Sequence, residues 1–488
     1  MSSELSETLD GVPPALARPA ATSEGFWSGV GEALRGSRRD YTEGSIGRAI
    51  MLLAVPMVLE MVMESVFAVC DVFFVSRLGA DAVASVGLTE SMLSLVYAIA
   101  IGLSIGASAM VARRTGERDA DGAARAAVQS IVLGVIVASI IGTAGALAAP
   151  HLLAVMGGSP SILATGTSYA RVMLGGTATI MLLFLINAIF RGAGDAAIAM
   201  RVLWLANAIN IALGPCLIFG LGPFPALGVK GAAIATNIGR GTGVLFALSR
   251  LWRRRPDGEH RRVDIHRRHL RLEPAVLLRL IRLSANGTLQ TLIGTASWIG
   301  LIRILSTFGS GVLAGYTIGI RVIIFALLPS WGLSNAGATM VGQALGAGKP
   351  DRAERAVWIA GFYNMCFLGV VGLVFILLAH QIVHIFTTDP SVVPHAVDAL
   401  RIIAYGFVLY AYGMVLAAAF NGAGDTMTPT LLNLVVFWMW EIPLAFVLAK
   451  VLHLGPRGVY WSVTIAFSTL ALLSAMLFRR GKWKTRAI

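Results

Sequence analysis

Three carboxylates lie on one face of the first long apolar segment of the chain. Glu60, Glu64 and Asp71 are spaced by 4 and 7 residues, so on an α-helix they fall within an arc of about 40° and rise about 16 Å along the axis. Mutual repulsion and burial both favour the protonated form of a carboxylate, so this spacing suits a proton carrier near neutral pH. For Glu60 and Glu64 two interpretations stay open: ligands for a proton or a substrate cation, or buried hydrogen-bonding groups.

Two further acids lie in apolar surroundings. Glu441 lies in WMWEIPLAF, beside Trp438 and a second tryptophan, and a carboxylate next to indole faces attracts an organic cation. Glu90 follows a threonine and precedes a serine in the second apolar segment; it is either such a ligand or a structural partner of a basic residue. These residues are candidates for substrate binding, although the tryptophans are equally typical of packing or interfacial anchors.

The elements that must position these acids are membrane-spanning helices. Hydrophobic residues make up 56% of the 488 residues, charged residues only 13%, and the mean hydropathy is +0.75, which indicates a polytopic membrane protein. A helix needs about 20 apolar residues to cross the hydrocarbon core. Twelve such runs cover residues 48–76, 84–112, 124–148, 166–190, 199–220, 230–252, 276–306, 314–343, 353–379, 396–420, 430–451 and 458–478.

The net charge of +13 indicates topology rather than nucleic-acid binding. Residues 250–282 hold eleven arginines against four acids, and further basic groups follow the second, eighth and twelfth runs. All of these lie on one side if the spans alternate, whereas the opposite loops 149–165 and 380–400 hold almost no Lys or Arg. This pattern predicts that both termini lie in the cytoplasm, with the basic loops against anionic lipid. The excess of arginine over lysine, 34 to 5, favours a bacterial source and therefore the bacterial cytoplasmic membrane.

The segments outside the spans are polar. Residues 1–45 contain no cleavable signal sequence and are predicted to form a disordered cytoplasmic tail, in which GFWSGVGEALRG suits a short helix on the membrane surface. We expect a first bundle at 46–252, a basic cytoplasmic linker at 253–275, a second bundle at 276–480 and a basic cytoplasmic tail at 481–488. The three cysteines, Cys70, Cys216 and Cys366, fall in separate spans and predict neither a disulfide nor a metal site.

The chain contains an internal repeat. FRGAGD at 190–195 returns as FNGAGD at 420–425, which is 230 residues later. The same offset relates SRLG around Gly79 to STFG around Gly309. It also relates GLSIGASAMVARR to GLSNAGATMVGQA, and LGVKG returns as LGPRG at an offset of 227. Several stretches at one offset indicate a duplicated unit.

The repeat predicts the architecture. Six spans separate the two hexamers, and an even number returns the chain to the same face, so the halves are parallel copies related by an axis along the membrane normal. We expect an all-α membrane protein with twelve transmembrane helices in two six-helix bundles around a central cavity. Each hexamer suits a tight turn between helices, with Asp195 and Asp425 as caps. Carboxylates facing lipid are costly, so the acidic face of the first span is expected to look into the cavity.

These motifs resemble the multidrug and toxic compound extrusion (MATE) transporters. The resemblance rests on the duplicated RGAGD-type turn, on Pro56 followed by CDVFFVSRLG, and on LSNAGATMVGQALGAGKPDRA. It covers about 45–480 and is closer to the DinF-like branch than to the NorM-like branch. It implies two bundles, alternating access, and export of bulky, often cationic compounds in exchange for H⁺ or Na⁺, with an ion gradient and no cofactor.

The resemblance also implies roles for residues of the first bundle. Asp71 matches the first-helix aspartate implicated in ion coupling, and an ion pair with Arg77 is its structural alternative. Pro56 matches the proline at which that helix bends, and a proline inside a helix removes a backbone hydrogen bond. Asn210 matches an asparagine of the same network on the fifth helix, and Thr236 is a further candidate for it.

The match is incomplete at two positions. Many relatives carry Asp in an LDP triplet where this chain has LGP, with Gly214; one of the two glutamates of the first span is a candidate replacement. The seventh-helix glutamate of the NorM-like branch is also missing, and the same region offers Asn286 and Gln290 as candidate substrate ligands. We therefore expect coupling in the first bundle and H⁺ rather than Na⁺; Asp71 and Asn210 are where Na⁺ would bind.

The expected function is that of a monomeric antiporter for small organic cations, not of an enzyme. The alternative is a flippase of lipid-linked oligosaccharides or peptidoglycan precursors, whose pyrophosphate needs fixed cations. Arg303, Arg321 and Arg401 are candidates for those cations, but the acidic first span argues against a polyanion. No HExxH, paired intramembrane Asp motif or histidine cluster supports a membrane enzyme.

Overall fold

The computed structural model describes residues 26–37, 39–252 and 263–486. Within these ranges the backbone is helical apart from turns and short connections, and it contains no strand. The fold is therefore all-α, as the apolar runs predict.

The first half of the chain forms one bundle. A short helix α1 (Phe26–Arg35) precedes α2 (Ile46–Ser76), α3 (Ala80–Gly116), α4 (Ala120–Val155), the broken pair α5 (Pro160–Gly175) and α6 (Thr177–Ala193), α7 (Ala196–Phe219) and α8 (Val229–Trp252). Buried aliphatic side chains of α3 to α8 pack into one core. We call the face at which α2 begins and α3 ends the terminal face, and the opposite one the far face.

The second half repeats this arrangement. It consists of α9 (Pro274–Leu305), α10 (Ser310–Gly346), α11 (Pro350–Phe386), the bent pair α12 (Val393–Ala404) and α13 (Phe407–Gly422), a composite helix, and α16 (Pro456–Arg479). The composite helix contains α14 (Met427–Asn433), a π-helical stretch (Leu434–Glu441), α15 (Ile442–Phe446) and a second π-helical stretch (Val447–Val451). A second apolar core joins these helices.

The helices account for the twelve predicted spans. Ten described helices are long and apolar enough to cross a membrane, and α12 with α13 forms one further span bent by 61°. The sixth predicted span is α8, which has 24 residues and so reaches about 36 Å. It is less apolar than the others because it carries Lys230, Arg240 and Arg250.

The backbone reproduces the sequence repeat. Gly79 and Gly309, which precede α3 and α10, have φ of 97° and 109°. Gly194 and Gly424, in the two hexamers, have φ of 85° and 83°. Only glycine adopts such values without strain, so these turns need glycine in both copies. The two hexamer aspartates differ from the expected caps: Asp195 makes no capping bond to its helix, and Asp425 instead accepts a hydrogen bond from the Thr428 hydroxyl.

The two bundles meet in the half of the molecule next to the terminal face. Gln343 of α10 donates to the Gly192 carbonyl at 2.9 Å, and Thr339 donates to the Arg191 carbonyl at 3.2 Å. Gly332 of α10 lies against the backbone of Met57 on α2. The hydrogen bonds described between the bundles lie in this half, so the terminal face is closed in this conformation.

Before α2, residues 26–37 and 39–45 form a short helix and a packed segment, in contrast to the expected disorder over 1–45; residues 1–25 and 38 lie outside the described range. We call residues 36, 37 and 39–45 the strap. Tyr41, 3% exposed, donates to the Gly194 carbonyl of the first bundle. From the second bundle, Arg352 donates to the carbonyls of Tyr41, Glu43 and Gly44, and Lys349 donates to Thr42. Main-chain carbonyls and cationic side chains thus hold a segment whose composition suggested no structure.

The linker and the C-terminal segment are also packed. The linker was expected at 253–275; residues 253–262 lie outside the described range, and the rest buries Val263 and Ile265 in the core of the first bundle. At the other end, Trp483 is 1% exposed and stacks on Phe478, and the Arg486 carbonyl accepts from Arg113 of the first bundle at 2.7 Å. The C-terminal segment therefore contributes to the closed terminal face, whereas the described part of the linker packs on the first bundle.

Candidate functional site

The acidic face of α2 points into the first bundle. Glu60 contacts α6, Glu64 contacts α7 and α8, and Asp71 interacts electrostatically with α8. The backbone of Met57, one turn before Glu60, packs against Gly332 of α10 in the second bundle. The three carboxylates thus find their partners on helices of the first bundle, which keeps them away from lipid. That they line the cavity between the bundles stays a prediction.

Glu60 is locked in a buried ion pair. It is 2% exposed, and its Oε1 accepts from Arg191 at 2.6 Å and from Asn187 at 3.2 Å. Both partners lie on α6, and Arg191 belongs to the FRGAGD hexamer. This contact matches the buried hydrogen-bonding alternative for Glu60, because the carboxylate is held by a cation and an amide.

Glu64 occupies an intermediate position along the face. Its Oε2 accepts from Asn207 of α7 at 3.1 Å, and its Oε1 lies 4.0 Å from the Arg240 guanidinium. The side chain is 24% exposed. Glu64 therefore has a cationic partner at the limit of contact and access to the pocket.

Asp71 is the least engaged of the three carboxylates. It is half-buried, and within the described part of the chain it makes no hydrogen bond or ion pair. Asp71 does not form the alternative ion pair with Arg77 in the structure, because the Arg77 guanidinium lies over the Phe73 ring. Arg240 of α8 is the cation that acts on it electrostatically.

Arg240 is the centre of this pocket. It is 4% exposed, donates to the Tyr97 hydroxyl at 3.0 Å and lies over the Phe67 ring at 5.7 Å. It interacts electrostatically with Glu64 and Asp71. Asp71, Glu64 and Arg240 thus form one charged group; we call it the first-bundle cluster.

The amide and hydroxyl predicted for this network are adjacent to each other. Asn210 of α7 donates to the Thr236 hydroxyl of α8 at 2.8 Å, and both side chains are buried. Gly214 follows one turn later on α7. A Cβ at Gly214 would meet nothing closer than Phe74 at 3.9 Å and the Asn210 Oδ1 at 4.0 Å, so the missing acid leaves room rather than a filled core.

Pro56 lies inside α2, one turn before Glu60, and it is buried. The helix is continuous from Ile46 to Ser76, so the bend at Pro56 stays a prediction. Its position does place a missing backbone hydrogen bond next to the inter-bundle contact at Met57.

Glu90 faces the space between the bundles. It lies on α3, is exposed and interacts electrostatically with Arg321 of α10 as well as with Asp71. Arg321 is exposed too. An exposed acid of one bundle and an exposed cation of the other are therefore close enough to interact electrostatically.

The other predicted substrate ligands are mostly engaged with protein. Asn286 of α9 donates to the Thr426 hydroxyl, and the Trp438 indole donates to the Ile293 carbonyl at 3.0 Å. Gln290 is half-buried, and its Oε1 has no partner among the described residues. Trp438 keeps an exposed ring, at 42%, so of this group it retains the largest free surface.

Glu441 is buried within the second bundle. It is 3% exposed and ends the first π-helical stretch, inside the second bundle, where it interacts electrostatically with Tyr316 and Tyr410. The Trp438 residue is 42% exposed, so the acid and the tryptophan differ in exposure, and the role of Glu441 in substrate binding stays a prediction.

Two cations of this site, Arg191 and Arg240, were not identified from the sequence. The signal was present, because an arginine inside an apolar run is costly and needs a partner. Arg240 lies in NIGRGTG of the sixth run. Arg191 lies in the FRGAGD hexamer and was interpreted only as part of the repeat. The second copy carries Asn421 in place of Arg191 and Gln290 in place of Glu60, a paired change that indicates contact between the two positions.

Two parallel six-helix bundles, closed at one face and with charged groups toward the space between them, define a polytopic transporter-type membrane protein. The MatE family profile matches residues 56–216 and again 288–447, which are the two repeats. The chain belongs to the MatE family.

Curated relatives match along nearly the whole chain. A probable multidrug resistance protein YoeA of Bacillus subtilis is 26% identical over 91% of this chain and 96% of its own length. A probable multidrug resistance protein NorM of Thermotoga maritima is 26% identical over 91% and 94%. A protein of Shewanella oneidensis named as an FAD transporter is 25% identical over 84% and 89%.

Solved structures share the same architecture. An outward-facing multidrug resistance MATE transporter of the MOP superfamily superposes with a TM-score of 0.84 and 28% identity, over 94% of this chain and 99% of the other. A MOP superfamily transporter from Pyrococcus furiosus, described as having a binding pocket of reverse polarity, gives 0.84 and 27% over the same shares. The twelve-helix fold is therefore established for this chain.

Proposed function

We propose that this protein is a secondary active antiporter that exports amphipathic organic cations in exchange for H⁺ by alternating access. The names of its relatives support multidrug efflux. The proposed energy source is the transmembrane proton gradient, with no cofactor and no enzymatic step. The proposed working unit is a monomer in the bacterial cytoplasmic membrane, with lipid around it and the terminal face in the cytoplasm.

The observation that carries this proposal is the free carboxylate of Asp71. An ionisable group inside a membrane helix marks a functional site unless a structural partner accounts for it. Glu60 has such a partner in Arg191, whereas Asp71 makes no direct hydrogen bond or ion pair within the described residues. Asp71 is therefore the proposed proton carrier, with Glu64 as second acid and Glu90 as the acid that meets the substrate.

The cycle follows from competition between charges. With the terminal face closed, a proton entering from the far side neutralises Asp71 and removes one negative charge from the pocket. An organic cation near Glu90 then loses attraction, because Glu90 and Asp71 interact electrostatically. Rearrangement of α2 near Pro56 transmits the change to the contact with α10. When the terminal face opens, Asp71 releases the proton to the cytoplasm and the cavity becomes accessible to new substrate.

Efflux of a cationic dye tests this function. Expression in a pump-deficient bacterium is expected to raise tolerance to ethidium, and Asp71→Asn is expected to abolish the gain. Asp81→Asn, the same substitution at an exposed residue near the far face, is the matched control and is expected to keep it. Ethidium efflux that survives collapse of the proton gradient and stops on removal of Na⁺ would contradict the ion assignment.

A flippase of lipid-linked oligosaccharide or peptidoglycan precursor is the second candidate. The exposed Arg303 and Arg321 favour it, whereas Arg401 donates to the Ile376 carbonyl and is less suited to a phosphate. Proteoliposomes with a fluorescent pyrophosphate-linked lipid separate the two functions. Flipping of this lipid that depends on Arg321, without dye efflux, would favour the flippase.

A further inference from the structure

We propose that Arg240 is a built-in counter-cation that takes the place of a bound Na⁺ in the first-bundle cluster and makes this site selective for protons. The inference rests on the proposed antiport function and specifies the ion that the site accepts. It assigns Arg240 as a selectivity-determining residue that acts through Asp71 and Glu64.

The guanidinium of Arg240 is desolvated and only partly hydrogen-bonded. One terminal nitrogen donates to the Tyr97 hydroxyl and lies 4.0 Å from a Glu64 oxygen. The other terminal nitrogen is buried and has no partner among the described residues. The aromatic rings of Phe67 and Tyr97 flank the group, at 5.7 and 5.8 Å from the ring centroids. A buried cation with spare donor capacity competes for any oxygen in the pocket.

The pocket offers few oxygen ligands for a metal ion around Asn210 and Gly214. A hard cation such as Na⁺ needs several oxygen ligands around it. Asn210 commits its amide nitrogen to Thr236, and its Oδ1 points toward the room left at Gly214. An acid side chain would fit there, but the chain has none. The pocket therefore offers a metal ion no carboxylate at position 214 and places the Arg240 guanidinium beside a carboxylate that it does have.

The charges around Arg240 leave the pocket one positive charge short of neutrality. Glu64 and Asp71 of α2 are the acids that act on it directly, together with the phenol of Tyr97 on α3. Tyr169 of α5 and Glu90 of α3 also interact with it, and Glu90 is shared with Arg321 across the cavity. With both α2 acids ionised, the cluster of two carboxylates and one guanidinium carries a single excess negative charge.

A proton and a sodium ion compensate that charge differently. A proton binds one carboxylate oxygen and needs no ligand shell, so Asp71 becomes neutral while Glu64 keeps its attraction to Arg240. A sodium ion must share the same oxygens with the guanidinium donors and stand next to a fixed positive charge. The geometry therefore admits a proton and disfavours a sodium ion.

The second repeat carries different residues at the positions equivalent to this cluster. At the repeat offset, Asp71 corresponds to Leu301 and Asn210 to Trp440; at the shorter offset, Arg240 corresponds to Phe467. The selectivity is thus a property of the first bundle and of Arg240 in particular.

Ion binding to the purified full-length protein tests the inference without requiring transport. Thermal unfolding in detergent is compared in 100 mM NaCl and 100 mM KCl, since an ion that binds the folded state raises Tm. Wild type, Arg240→Lys and Gly214→Asp alone are expected to give equal Tm in the two salts. The double variant Gly214→Asp with Arg240→Gln is expected to gain a Na⁺-specific rise of about 2 °C or more. Lys230→Gln, which removes an exposed cation from the same helix, is the control and should behave as wild type.

Transport gives the second readout. In proteoliposomes loaded with ethidium, wild type is expected to respond to an imposed pH gradient and to ignore an imposed Na⁺ gradient. The double variant is expected to respond to Na⁺. If Arg240→Gln prevents folding, Arg240→Met keeps the side-chain volume without the charge and is used in the same pair.

Two results would overturn the inference. One is a Na⁺-specific rise in Tm, or Na⁺-driven efflux, in wild type with Arg240 intact. The other is a folded double variant that shows no Na⁺ response in either assay. Absence of ethidium transport by wild type under every gradient would instead refute the proposed function, and it would leave the Tm comparison to decide the ion selectivity.

Discussion

Gly116 of α3 and Gly346 of α10 hold equivalent positions in the two repeats, and each rests on the backbone of the other bundle. A Cβ on Gly116 would collide with the Gln343 carbonyl, and a Cβ on Gly346 would collide with the Arg113 carbonyl. Gln343 and Arg113 are themselves repeat equivalents. The closed terminal face is therefore a reciprocal contact around the axis that relates the bundles, and it depends on two missing side chains.

Gly116→Ala is expected to weaken closure of the terminal face, since the added methyl group meets backbone rather than a movable side chain. Overpacking of this kind costs roughly 1–3 kcal/mol, which shifts the balance between closed and open states by about 5- to 150-fold. Hydrogen exchange should rise in peptides covering 102–116 and 332–346, and ethidium efflux should fall. Gly87→Ala, on the same helix with open space around it, should change neither.

The Glu60–Arg191 ion pair predicts that replacing one partner lowers the stability of the fold more than replacing both with their equivalents from the second repeat. Glu60→Gln leaves a nearly buried guanidinium uncompensated, and loss of one partner of such a pair costs about 3–5 kcal/mol. The double variant Glu60→Gln with Arg191→Asn installs the residues found at Gln290 and Asn421 in the second bundle. It should recover most of the loss in thermal unfolding, and equal Tm values for single and double variants would count against the pairing.

The strap predicts that Arg352 helps to hold the terminal face closed. Arg352 donates to three strap carbonyls, two of them at 2.8 Å. Arg352→Gln should expose the strap, so that limited trypsin digestion cuts between 35 and 48 several times faster than in wild type. Arg355→Gln, an exposed residue one turn further on α11, is the control. Equal cleavage of both variants would show that contacts other than those of Arg352 hold the strap in place.

Asp40 gives the strap an acid limit. Burial opposes ionisation of this carboxyl, but hydrogen bonds from Thr42 and Arg118 outweigh it and lower the pKa of Asp40 below its usual value of 3.8. Because the folded pKa is depressed, the stabilisation is complete well above pH 3.8 and is lost as the pH falls through the lower folded value. Pepsin cleavage of the strap should therefore be slow near pH 5 and increase below about pH 4. Asp40→Asn should remove this increase.

Substrate affinity should depend on Glu90 and not on Glu441, although both acids were candidates from the sequence. The Glu90 side chain is exposed, whereas the Glu441 side chain is buried inside the second bundle. Glu90→Gln is expected to raise the KM for ethidium about 10-fold, which corresponds to about 1.4 kcal/mol. Glu441→Gln is expected to leave KM within about twofold, and an equal rise in both variants would return Glu441 to the binding site.

Much of the fold was predictable because membrane helices and repeats leave strong local signals. The run around Glu60, Glu64 and Asp71 became α2, and the two hexamers became equivalent turns at Gly194 and Gly424. The order of the strap was not predictable, because Arg352 holds it through backbone carbonyls, which carry no side-chain pattern. The bend between α12 and α13 was missed for a similar reason, since apolar composition continues across it.

By itself the sequence determined that three carboxylates share one helix face, that the chain crosses the membrane twelve times, and that its halves are parallel copies. Those results follow from helix geometry, hydropathy and a constant offset. Only the tertiary structure decided that this face meets Arg191 and Arg240 and that Glu441 is buried within the second bundle. In a membrane the lipid side and the packed side of a helix are both apolar, so hydropathy does not encode the rotation of a span, and helix packing alone selects which polar side chains meet.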